Sequence, residues 1–346
     1  MTTETLPTQA QPSTLGKKIV PGLSIGALIV IVIMVASFTL HMYNIDTIGN
    51  ANEYYTAAVE AMLKSWSNFF FAAAEPGGSV TVDKPPLGLW IEAIFAYFLG
   101  VSGFSVSLPN ILAGVFGIGL LYSMVKKYMG ELAGIIAALV MAITPVFIAT
   151  NRNNTMDGML VFFLLLAAWA FIKATESGKL RWLMLGAFIV GLGFNIKMLQ
   201  AFLPLPAFYA LYFFGSKEGW LKKILNLGIA TTLLVIVSLS WAVVVDLVPA
   251  ENRPYIGSSD NNTVMELIFG HNGISRLESN GGGGAPPSGT QPGQPSNAGA
   301  QPQQNPGQGQ QGQFQGPPPA ALEACASQTQ GSACSFTTQN GNTING

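Results

Sequence analysis

From Ile19 to Leu40 no side chain carries a charge, and a helix of that length, rising about 1.5 Å per residue, crosses the ~30 Å hydrocarbon layer of a bilayer. Lys17 and Lys18 stand just before it. A cleaved leader would need a shorter core closely followed by a small-residue site, and none follows, so the run reads as a membrane anchor. Further apolar runs cover residues 105–125, 133–150, 158–174, 181–196, 199–215 and 224–248. They lack the polar stripe of a soluble amphipathic helix. The chain is therefore expected to be an all-α polytopic membrane protein with about seven transmembrane helices.

Composition supports this and removes several alternatives. Charged residues make up 10% of the 346-residue chain, against about 25% in soluble proteins, which excludes an ordinary soluble enzyme. Mean hydropathy is +0.41 even though the last fifth of the chain is polar. A net charge of −1 offers no cationic stripe for nucleic acid. The two cysteines, Cys325 and Cys334, cannot form a four-ligand zinc site or a disulfide framework by themselves. In an oxidising compartment they could close a small loop.

Charge placement orients the chain. Leu87–Val101 is short, contains Glu92 and follows Pro85-Pro86. Laid along or dipping into the outer interface, rather than spanning, it lets every short loop obey the positive-inside rule. Lys17, Lys18, Lys126, Lys127, Lys173, Lys179, Arg181, Lys217, Lys222 and Lys223 then lie inside. Four parts follow: a disordered inner N-terminus at 1–16, a membrane module at 17–248, an outer substrate loop at 249–279 and a tail at 280–346. Gly, Pro, Gln and Ser dominate that tail, which buries too little apolar surface to offset its ordering entropy. Chemistry is expected in the outer segments: the loop 42–104, residues 151–157 and everything after Val248. Tyr54 to Phe71 carries aromatic and apolar residues mostly at helical spacing, as in a helix lying among headgroups.

Four polar clusters fall on that outer side: Asn52-Glu53-Tyr54-Tyr55; Asp83-Lys84-Pro85-Pro86; Arg152 to Asp157; and Asn252-Arg253-Pro254-Tyr255 to Ser259, followed by Glu266, His271, Asn272 and Arg276. Each singly has a plain reading as a solvated or lipid-contacting group, with Arg152 paired to Asp157. Together they supply carboxylates for proton abstraction and fixed cations for phosphate at one membrane face. Such a set suits a reaction on a lipid-linked phosphate.

The turn Asp83-Lys84-Pro85-Pro86-Leu87, followed by Trp90, by Leu99 to Phe104 and by Leu108-Pro109, resembles glycosyltransferase family 39. That group has the GT-C membrane fold and includes the protein O-mannosyltransferases and the lipid A aminoarabinose transferases. Gly49 to Val59, Lys64-Ser65-Trp66, Asn195 to Gln200 and Arg253 to Ser259 are similar to its bacterial mannosyltransferase branch. The likeness covers roughly residues 20–278.

The resemblance implies inverting transfer of a hexose, mannose by family analogy, from a polyprenyl-phosphate donor in membrane lipid to an acceptor on the extracytoplasmic face. Glu53 or Asp83 would be the base, since Asn52 stands where better-known members have the first acid of an Asp-Glu pair. Lys84 matches the family's phosphate-contacting lysine, and Asp157 a recurrent acidic position after the third span. Arg253 is a second candidate phosphate clamp by type and location. Asn52, Tyr55, Arg152, Asp157, Lys197, Gln200, Tyr255, Glu266 and Asn272 are the candidate substrate-binding residues. A divalent metal ion is compatible with the outer carboxylates, Glu53 and Asp157 being its candidate ligands, and no ligand spacing demands one. Family members usually continue into further helices, which leaves a fragment, or a half enzyme completed by a second chain, as an expectation. A transporter or flippase for a lipid-linked substrate and an inactive scaffold are the competing readings.

Overall fold

The computed structural model describes residues 18–20, 23–274, 335–337 and 343–345. Cys325, Cys334, Arg276 and almost all of the expected tail lie outside the described residues. In the C-terminal unit, Ser335–Thr337 pairs antiparallel with Thr343–Asn345.

The rest is helical apart from a short strand pair, Lys18–Val20 with Leu23–Ser24. Local chemistry sets the helix limits. Ser24 caps α1 (Ile25–Met42), its hydroxyl accepting from the Ala27 amide at 3.1 Å. Asn52 and Ser65 do the same for α2 (Glu53–Met62) and α3 (Trp66–Phe71), filling donors that a helix start leaves orphaned. The expected aromatic headgroup helix is thus two short helices, broken at Lys64-Ser65. Pro86 opens α4 (Pro86–Leu99), and a Ser102/Ser105 capping box opens α5 (Gly103–Met129). Then come α6 (Glu131–Ile143), α7 (Pro145–Asn151), α8 (Asp157–Ser177), α9 (Leu180–Lys197), α10 (Leu205–Gly215), α11 (Trp220–Leu247) and the single turn α12 (Val264–Glu266). A π-helical stretch, Leu267–Ile274, continues α12.

Five of these helices, α1, α5, α8, α9 with its following turn, and α11, are long and apolar enough to cross a membrane, or six if α6 and α7 form one broken span. Of the spans expected, about seven in all, the one at 199–215 falls on a shorter apolar helix. The run 133–150 is not one rod, because the chain bends by 57° between α6 and α7, where Pro145 cannot continue the ladder of α6. The run 199–215 divides into a 3₁₀ turn, Met198–Phe202, and the 11-residue α10, about 16 Å long. The 14 residues of α4 reach about 21 Å, also short of the hydrocarbon thickness.

Small and apolar residues pack α8, α9, α10 and α11 together: Ala167, Phe171, Leu183, Ala187, Tyr212, Ala230 and Leu234 are buried in one cluster. Val32, Val35, Ile136, Val140, Ile236 and Val244 remain exposed, as lipid-facing side chains do, since tails are as apolar as they are. The two ends of the bundle differ. At one, Lys126 pairs with Glu131 at 2.8 Å, Lys127 pairs with Glu176, and Ser24 donates to Glu131. The other is covered by α2, α3, α4 and residues 249–274, over a core containing Met62, Leu89, Met156, Met198 and Ile256.

Candidate active site at the covered end

Two segments far apart in sequence are zipped together by their backbones. The Thr81 amide donates to the Tyr255 carbonyl and the Tyr255 amide to the Ser79 carbonyl, both at 2.8 Å, while the Gly257 amide reaches Thr81 Oγ1 at 3.0 Å. A Cβ at Gly257 would lie 2.2 Å from the Thr81 carbonyl oxygen, so only glycine permits this approach. The zipper delivers Asp83-Lys84 to the π-helical stretch carrying His271 and Asn272, just before Pro85 and Pro86 turn the chain into α4.

Around that point the polar side chains converge. Lys84, only 6% exposed, ion-pairs with Asp83. The Tyr55 hydroxyl donates to Asp83 Oδ1 at 3.3 Å, and His271 Nε2 lies 3.8 Å from Asp83 Oδ2, in ion-pair range when protonated. Asn272 Nδ2 donates to the backbone carbonyls of Asp83 and Leu267, each at 3.2 Å. Burial pushes the Asp83 carboxyl up, but the His271 ring and the Lys84 ammonium outweigh it and hold the group well below the usual carboxylate range. Burial, reinforced by the Asp83 charge, pushes the Tyr54 phenol up to about 12. Glu53, one residue before Tyr54, is exposed in the first turn of α2. A carboxylate held so firmly ionised is a weak proton acceptor. Asp83 therefore neutralises Lys84, whereas Glu53 is a carboxylate left exposed.

The remaining candidates separate into three groups. Asp157 pairs with Lys197 at 2.5 Å, not with Arg152, whose Nη2 donates to the Asn44 carbonyl at 3.2 Å. Gln200 sits on the adjoining 3₁₀ turn, which touches the π-helical stretch. This turn begins at Met198 with φ 46° and ψ −132°, a strained backbone of the kind found at functional sites. Asn52 serves as the α2 cap. Arg253, Tyr255 and Glu266 brace the loop after α11. Arg253 Nε donates to the Val248 carbonyl at 3.0 Å and Nη2 to the Asn262 carbonyl at 2.7 Å, with Asp246 Oδ1 3.6 Å from Nη1. The Tyr255 hydroxyl donates to the Ser259 carbonyl at 2.7 Å, and Glu266 accepts from the amides of Asp260 and Asn261. Nε and Nη2 of Arg253 are thus taken up by protein carbonyls, whereas its buried Nη1 makes no hydrogen bond among the described residues.

His271 is a site residue to which sequence reasoning assigned no role. Its signal was weak: one of two histidines, nearly 190 positions from the aspartate that it meets. Among the described residues no group of three or more His, Cys, Asp or Glu side chains could enclose a metal ion. Glu53 and Asp157, the expected ligands, do not form such a group. Asp83 and His271 offer two donors, so a cation there would need its other ligands from phosphate oxygens and water.

Fold and site together define a polytopic membrane protein with a buried lysine–carboxylate centre at one end of its helices. Comparison with known proteins makes this more particular. The family described as "Dolichyl-phosphate-mannose-protein mannosyltransferase" matches residues 83–241. Two Bacillus subtilis (strain 168) proteins, "Putative mannosyltransferase YkcB" and "Putative mannosyltransferase YycA", are each 48% identical, over 262 and 253 residues. These alignments take in 75% and 72% of this chain but 37% and 36% of the relatives. An uncharacterized Aquifex aeolicus (strain VF5) protein is 24% identical over 161 residues, 45% of this chain and 32% of its own. No solved structure matches. The chain belongs to this GT-C, glycosyltransferase 39-like family and spans little more than a third of the length of the two Bacillus subtilis relatives.

Proposed function

We propose that the protein is an inverting membrane glycosyltransferase that moves a hexose, mannose by family analogy, from a polyprenyl-phosphate donor to an acceptor on the extracytoplasmic face. The observation that carries this reading is Lys84: an ammonium buried at the start of an apolar helix, beside Asp83, Tyr55 and His271. A cleft of about 280 Å³ opens close by in sequence, lined by Leu87 and Trp90 of α4, Leu192 and Asn195 of α9, and Trp241 and Val244 of α11. Its apolar walls suit an isoprenoid chain whose phosphate lies at Lys84. The basic loops at the opposite end favour an outward-facing site.

In the reaction, Glu53 takes the proton of the acceptor hydroxyl as its oxygen attacks the anomeric carbon from the face opposite the phosphate. The bond from that carbon to the phosphate oxygen breaks, its electron pair stays on the polyprenyl phosphate, and the configuration inverts. Lys84 stabilises the charge gathering on the leaving oxygen. Asp157, Lys197 and Gln200 line the sugar and acceptor approach. If a divalent cation binds at Asp83 and His271, it supplies further charge for the phosphate.

The test is transfer of radiolabelled sugar from a panel of polyprenyl-phosphate donors by the protein in lipid nanodiscs, with and without divalent metal. Loss of transfer in Lys84→Ala and Glu53→Gln at unchanged expression supports the reading. Equal transfer by both variants and the wild type refutes the assignment.

A further inference from the structure

Glu92 takes no part in this reaction, yet it lies fully buried in α4. Both its oxygens accept hydrogen bonds: Asn110 Nδ2 donates to Oε1 at 2.8 Å and Asn154 Nδ2 to Oε2 at 3.4 Å. Neither amide is free to turn over. Asn110 Oδ1 accepts the Met159 backbone amide at 3.4 Å, in the first turn of α8, and Asn154 Oδ1 accepts the Asn52 backbone amide at 2.8 Å, at the start of α2. Flipping either side chain would set an NH₂ group against a backbone N–H. Two amide nitrogens therefore require an acceptor at one position. An ionised carboxylate offers two acceptor oxygens there, and glutamine only one; burial pushes this carboxyl well above its ordinary value, and the two asparagine donors act against that.

Each backbone amide held in this way belongs to a helix start. The α8 N-cap, Met156, makes no side-chain cap of its own, so Asn110 supplies one from another helix. The intervening loop is bent against preference, with φ 38° at Asn154 and 62° at Met156. Asparagine, like aspartate, tolerates that region more readily than methionine does. Asn154 Nδ2 also reaches Thr56 Oγ1 at 3.4 Å, and the Thr56 hydroxyl donates to the Asn50 carbonyl at 2.6 Å.

We infer that Glu92 is a positioning residue for sugar transfer, one buried carboxyl that sets the starts of α2 and α8 through Asn154 and Asn110 and thereby places Glu53 and Asp157. The inference rests on the transferase reading above. It explains why an apolar helix retains an acid on its buried face.

The test compares Glu92→Gln with the double variant Glu92→Gln/Asn154→Asp in nanodiscs. The double variant exchanges amide and carboxylate between neighbours: the new amide donates to position 154, which still accepts the Asn52 N–H. In the single variant, exchange at the Asn52 and Met159 amides should quicken about tenfold while α11 amides stay unchanged, because one donor in the network faces another. Turnover should fall about tenfold or more with the donor KM within about twofold, as expected when reacting groups are misplaced and substrate binding is not. The double variant should recover both. Wild-type exchange and turnover in Glu92→Gln would overturn the inference, as would a double variant that recovers neither. If the wild type transfers no sugar from any donor, the transferase reading fails by itself, and the exchange measurement alone decides whether Glu92 sets the two helix starts.

Discussion

Replacing Arg253 by alanine separates a brace from a phosphate clamp. The side chain is nearly buried and gives charged donors to the Val248 carbonyl at 3.0 Å and the Asn262 carbonyl at 2.7 Å. Hydrogen bonds from a charged group contribute about 1.5–3 kcal/mol each. Water entering the space would recover part of that, so the local loss should be about 3 kcal/mol. Every 1.4 kcal/mol is a factor of about ten, so the opening equilibrium of the loop should rise about 150-fold. The effect should spread, because Asp246, beside Arg253, also accepts the amides of Val264 at 2.8 Å and Met265 at 3.1 Å, where α12 begins. Hydrogen exchange on the protein in nanodiscs should show faster exchange across residues 250–272, with α8 and α9 unchanged. Arg253→Lys should rescue poorly, since one ammonium cannot span both carbonyls in a fixed fork. Unchanged exchange together with a donor KM raised about tenfold or more would refute the brace and restore the phosphate role.

Loss of the Lys84 ammonium should lower turnover about 10²–10³-fold, the range seen when one preorganised donor to a developing anion is removed, measured by single-turnover sugar transfer. Glu53→Gln should abolish transfer at every pH while Asp83→Asn retains a measurable rate, because Asp83 orients Lys84 and Glu53 takes the proton. Equal loss in the two variants would contradict that division. The Asp83 carboxyl is depressed below its ordinary 3.8 in the folded protein, so its stabilisation is present above that value and lost as pH falls below it; Asp83→Asn should flatten this acid limb in thermal melts. For Tyr54 the sign reverses. Its phenol is raised from 10.0 to about 12, so its share of stability is present below pH 10 and lost as pH rises toward 12. Tyrosinate absorbance, with Tyr54→Phe as the subtraction, should show the phenol ionising at lower pH in Asp83→Asn.

Much of the architecture was legible in the residue order. Apolar runs without a polar face can be buried only in lipid or in other such helices, and the uneven placement of lysine and arginine marks two unlike ends. Asp83-Lys84-Pro85-Pro86 announced a rigid turn carrying charge, because two prolines fix their φ angles. Caps such as Ser24, Asn52 and Ser102 act over three residues and could be read locally.

Everything that depends on distant backbone groups meeting was decided by tertiary structure. Asp157 lies five positions from Arg152 yet pairs with Lys197, because the start of α8 adjoins the end of α9. The carbonyls that meet Nε and Nη2 of Arg253 are brought to it only by the fold. His271 gains a role only when the backbone zipper between residues 79–81 and 255–257 carries it to Asp83. Glu92 shows the contrast most plainly. Residue order marks it as an awkward charge in a short apolar helix, and only packing reveals two asparagines already committed to backbone amides and needing its two oxygens. Hydrophobic periodicity records which face a helix buries, whereas hydrogen-bond partners depend on directions and distances that exist only after the helices have packed.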